Sequence, residues 1–153
     1  MNESKPSERT SRSRAHRKRE LANNPVRLED PDGIQSAALK ALPGRVEYQG
    51  ESGYVYIAQL SDGTTKIGFS ENVRQRIREH AANGRMFGLG LVAVWVSPVH
   101  ASAKENEHLL LGYARRTGRA GMRPEYFTAV DFGEAVAFAQ RLKFEPVDVE
   151  RIQ

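Results

Sequence analysis

Large apolar side chains are almost absent from residues 1–24 and then arrive in blocks, each with its own spacing. The run Gly53-Tyr54-Val55-Tyr56-Ile57-Ala58-Gln59 is dense in aromatic and β-branched residues, and a second extended run, Thr64 to Phe69, follows Ser61-Asp62-Gly63, so the pair predicts a β-hairpin. With Gly63 left-handed in a three-residue loop, Leu60 pairs with Thr64 and Ala58 with Lys66. That register puts Tyr54, Tyr56, Lys66 and Gly68 on one face, because successive side chains alternate across a strand.

From Ser70, a good N-cap, to the stop signal Asn83-Gly84, the pattern changes to a helical period. Val73 and Ile77 form its apolar stripe, and at 100° per residue Arg76 and His80 fall on that same side. Leu89 to Val96 is the most apolar run of the chain and predicts a buried strand at the sheet's centre. A second helix is expected over about 102–117, with Ala103, Leu110, Leu111 and Ala114 inward. Glu107 lies in the middle of that stripe. Pro124 to Thr128 predicts a short edge strand with core aromatics Tyr126 and Phe127, and Asp131 to Leu142 predicts a closing helix.

These blocks divide the chain into a disordered arm over 1–24, a linker with a short helix (Ile34 to Leu42) over 25–48, and one domain over 49–153. The expected class is α/β of the α+β kind: a small, three-stranded, mainly antiparallel sheet flanked by helices. The absence of cysteine excludes a disulfide scaffold, thiolate metal sites and cysteine nucleophiles. No run approaches the roughly 20 apolar residues of a bilayer span, and residues 1–24 lack a signal peptide's apolar centre, so the chain reads as cytoplasmic.

Charge refines the division. Residues 1–20 hold seven basic and three acidic side chains, the whole net charge of +4, and 66–123 hold ten basic and four acidic. The arm, with Arg17, Lys18 and Arg19, and the run Arg115, Arg116, Arg119 and Arg123 suit phosphates, as do Arg74 and Arg78 on the outer side of the first helix. A solvated charge run is the plainer reading of the arm. Glu107 is the strongest anomaly, because a carboxylate on an apolar face must be paired, protonated or metal-bound. A structural ion pair, with Arg76 as the candidate partner, competes there with a functional role. Arg76 in turn could simply lay its stem over apolar surface.

Tyr54-Val55-Tyr56, Lys66-Ile67-Gly68, Arg76, Glu107 and Pro124-Glu125-Tyr126-Phe127, in that order over about 52–128, resemble the GIY-YIG nuclease domain, and in particular a phage-associated branch with Lys-Ile-Gly as its second motif. Tyr56 takes the first motif's tyrosine position, and Lys66 stands where the second motif usually has tyrosine. The resemblance implies metal-dependent endonuclease hydrolysis of DNA phosphodiesters by a one-metal mechanism. Glu107 would hold one Mg²⁺ or Mn²⁺, and Arg76 would fork onto the scissile phosphate. Tyr56 would orient or deprotonate the attacking water beside Lys66, whose charge favours a phenolate, with Tyr54 and His80 as further candidates. DNA is the implied partner, with monomer and homodimer both open and a bacterial or phage origin suggested. The alternative function is a non-catalytic nucleic-acid-binding module on the same scaffold; a small interaction domain with buried ion pairs is a third reading.

Overall fold

The computed structural model describes residues 25–46, 51–120 and 126–147. The expected arm over 1–24, with Arg17, Lys18 and Arg19, lies outside them, as do Arg123 and the Pro124-Glu125 start of the last expected strand. The strands are β1 (Val26–Glu29), β2 (Tyr54–Leu60), β3 (Thr65–Ser70), β4 (Leu91–Val96), β5 (Arg119–Ala120) and β6 (Tyr126–Thr128). The helices are α1 (Val73–Met86), α2 (Ala103–Thr117) and α3 (Phe132–Gln140), with a 3₁₀ turn at Ser36–Ala41.

All pairings are antiparallel, in the order β1-β4-β2-β3-β6-β5. The expected three strands are the middle of this sheet. Five strands have three to seven residues, and β5 adds a two-residue edge. The additional pairings rest on partners distant in sequence: Val26 faces Val96 and Lys66 faces Tyr126. Residues 25–46, expected as a linker, therefore carry an edge strand as well as the short helical turn. Leu39 and Leu42 of that segment are fully buried under α1.

The hairpin register agrees with the sequence reading, with Ala58 opposite Lys66 and Gly63 at φ +88°. Both faces of the central strands are covered, which is why they read as nearly continuous apolar runs. On one face Tyr54, Tyr56, Ala58, Val94 and Val96 meet Val73, Ile77 and Ala81 of α1. On the other, Val55, Ile57, Ile67 and Trp95 meet α2 and α3. No helix among the described residues is long and apolar enough to cross a membrane.

Two helix signals acted differently from expectation. Asn72, not Ser70, is the N-cap of α1, and Ser70 Oγ instead accepts the Asn72 N–H at 2.9 Å. Gly84 does not stop α1 but lies buried within it, where a Cβ would come 3.1 Å from both Leu60 Cδ2 and the Leu89 carbonyl. The turn comes four residues later, at Gly88 with φ +74°.

Candidate active site

The β2–β3 hairpin and α1 bring a tyrosine and a histidine together. Tyr56, 2% exposed, extends across Gly68 beneath α1, and its hydroxyl lies 2.8 Å from His80 Nε2. His80 Nδ1 lies 3.3 Å from the hydroxyl of Tyr126. A neutral imidazole has one donor and one acceptor nitrogen, so this Tyr56–His80–Tyr126 chain can pass a proton in either direction. Lys66 joins through its register partner: its Nζ sits 4.9 Å from the centroid of the Tyr126 ring. Such placement over a ring face is attractive by cation–π electrostatics. From the residues alone Tyr126 reads most simply as a core aromatic. Its role depends on the Lys66–Tyr126 pairing, for which local sequence has no signal.

Arg76 does not turn into the core as its helical angle suggested. Its side chain is 53% exposed, with Nε 3.8 Å from Glu79 Oε1, because long stems on the margin of a stripe carry their charge out to water. It lines an open cleft of about 430 Å³ with Arg45, Ser70, Asn72 and Gln75 among its walls. Arg45 comes from the supposed linker, which hydrogen bonds tie to α1 and to the turn before it. The Val46 N–H donates to the Glu71 carbonyl at 3.0 Å, and Arg74 donates to the carbonyls of Leu42 (Nε 2.9 Å, Nη2 2.6 Å) and Lys40 (3.2 Å). Arg74, read from sequence as a phosphate contact, thus closes the C-terminal end of the 3₁₀ turn. Arg78, Arg115, Arg116 and Arg119 are exposed.

Glu107 is buried at 8% exposure on the inward side of α2, as its place in the stripe predicted, beside Leu110 and Leu111. Its neighbour Asn106 is buried too and donates to the Lys143 carbonyl at 2.8 Å, which ties α2 to the chain after α3. Among the described residues no three His, Asp or Glu side chains form a cluster that could hold a metal. One carboxylate fits only a hard cation that keeps waters and phosphate oxygens as its other ligands, the coordination habit of Mg²⁺. Tyr54, the other tyrosine of this hairpin face, is 2% exposed and sits opposite Ser70.

A histidine outside the expected set is also buried. His100 Nδ1 donates to the Pro98 carbonyl at 2.8 Å, its Nε2 has no hydrogen-bond partner among the described residues, and the ring meets Phe144 edge-on. Burial, only partly offset by the Pro98 bond, lowers its pKa below the ordinary 6.5. Below about pH 6.5 the unfolded chain therefore binds a proton that the folded chain refuses, and stability falls as pH falls. Thermal melts between pH 8 and about pH 5 are expected to show this decline, and His100→Gln to flatten it; an unchanged slope in the variant would assign the decline to other groups.

The family description T5orf172 domain matches residues 53–143, more than half of the chain. It is a phage-associated domain found in nuclease-related proteins of GIY-YIG-like and HNH type. No curated protein and no solved structure matches the chain.

Proposed function

The chain belongs to the T5orf172 domain family, and from that premise we propose that it is a metal-dependent DNA endonuclease hydrolysing phosphodiesters by a one-metal mechanism of GIY-YIG type. The observation that carries the proposal is the Tyr56–His80 hydrogen bond at 2.8 Å, on the hairpin face and helix where the resemblance expects its water-activating groups.

Tyr56 is 2% exposed and His80 half-buried, so the proton that the phenol takes up leaves the site through His80. In this mechanism Tyr56 takes the water's proton as its own hydroxyl proton passes to His80 Nε2, and Nδ1–H is held by the Tyr126 oxygen. Lys66 holds positive charge over the Tyr126 ring beside this chain. Arg76, in the wall of its cleft, forks onto the scissile phosphate and opposes the charge that builds on its oxygens. Glu107 is the residue that would hold Mg²⁺ or Mn²⁺, which when bound supplies Lewis-acid polarisation of the phosphate.

Plasmid DNA incubated with the protein in Mg²⁺ or Mn²⁺ should be nicked or linearised. Tyr56→Phe keeps the ring in place and removes only the hydroxyl, so cleavage is expected to fall by at least ~10²-fold. The unfolding free energy should change by about 1 kcal/mol, the worth of one hydrogen bond. Undiminished cleavage by Tyr56→Phe would remove the phenol from the reaction, and no cleavage of any DNA by the wild type would favour a binding module without catalysis.

A further inference from the structure

The C-terminal end of α1 presents two large apolar side chains to solvent, Met86 at 80% and Phe87 at 73% exposure. Removing such area from water is worth about 25 cal/mol per Å², so a conspicuous apolar tip invites a partner. The tip is held on a bonded turn. The Phe87 and Leu89 N–H groups both donate to the Gly84 carbonyl at 2.9 Å, and Gly88 donates to the Arg85 carbonyl at 3.1 Å.

Charge indicates which partner. α1 carries Arg74, Arg76, Arg78 and Arg85 against Glu79 alone, 4 − 1 = +3, and Arg85 next to the apolar pair is exposed. Positions 76, 79, 83 and 87 follow one another at i, i+3, i+7 and i+11, so Arg76 and Phe87 lie along one side of the helix. Eleven residues at 1.5 Å rise separate them by about 16 Å, roughly five base steps of 3.4 Å.

We propose that Phe87, with Met86 beside it, is an apolar wedge that stacks against the bases of bound DNA about five steps from the phosphate at Arg76. This rests on the DNA-directed reading above, and the test separates the two. With a duplex of roughly 30 base pairs, Phe87→Ala is expected to weaken binding about tenfold, while the dependence of affinity on salt stays unchanged because no cation is removed. Phe87→Trp places an indole at the tip, and its fluorescence should be quenched by the duplex; the natural Trp95, 1% exposed, adds only a constant background.

Wild-type affinity of Phe87→Ala, with an unquenched indole in the second variant, overturns the wedge and leaves DNA binding intact. A wild-type protein that ignores the duplex overturns both. If Phe87→Ala instead turns a dimer into a monomer in light scattering, a second copy of this chain covers the tip and the wedge is again overturned.

Discussion

Gly68→Ala is expected to destabilise the protein by about 3 kcal/mol and to lower DNA cleavage by ~10²-fold or more. Gly68 faces Tyr56 across the β2–β3 ladder, and a Cβ there would stand 2.5 Å from Cζ and 2.8 Å from Cε2 of the phenol ring. Tyr56 is fully enclosed and cannot swing away without opening the core between the sheet and α1. The atoms in collision include the hydroxyl that bonds His80, which connects the packing defect to the chemistry. Urea unfolding measures the first effect and plasmid cleavage the second. Adding Tyr56→Leu to Gly68→Ala should cost less than the sum of the two single changes, because the shorter side chain vacates the contested space. An alanine variant with the wild-type midpoint would show that the ring turns aside freely, and the glycine would need another explanation.

Glu107→Gln is expected to reduce cleavage by roughly 10³-fold at saturating Mg²⁺ while leaving the fold in place. Glutamine keeps the shape and most hydrogen-bonding capacity of the buried side chain but loses the charge a hard cation requires. Retained circular dichroism, a loss of stability under about 2 kcal/mol and DNA affinity near the wild type would accompany the loss of activity. The competing structural reading predicts a different set of results: a buried ion pair that loses one charge costs about 3–5 kcal/mol, and no DNA affinity would be there to lose. The two outcomes cannot be confused, since stability and cleavage move in opposite proportions.

Several parts of this site were legible in the chain. Read as a three-residue loop with Gly63 left-handed, Ser61-Asp62-Gly63 sets a register that places Tyr56 and Gly68 on one face, and the structure has both that φ and that pairing. Glu107 could be picked out because helical spacing is rigid enough to tell an inward carboxylate from its outward neighbour Glu105. Arg76 was harder to place, because it stands at the margin of the stripe. There the flexibility of four side-chain torsions, not the helical angle, governs where the charge ends up.

Local sequence determined the elements themselves: period and turn chemistry act within a few residues, and they set the hairpin register, the three helices and the inward glutamate. Tertiary structure decided everything that joins residues far apart. It recruited Val26–Glu29 to pair with β4, bound residues 40–42 to Arg74, and set Tyr126 opposite Lys66 within reach of His80. The physical reason is the same in each case. Such short segments have no stable conformation alone, and only the apolar faces and backbone bonding groups left open by the assembled sheet select where they lie.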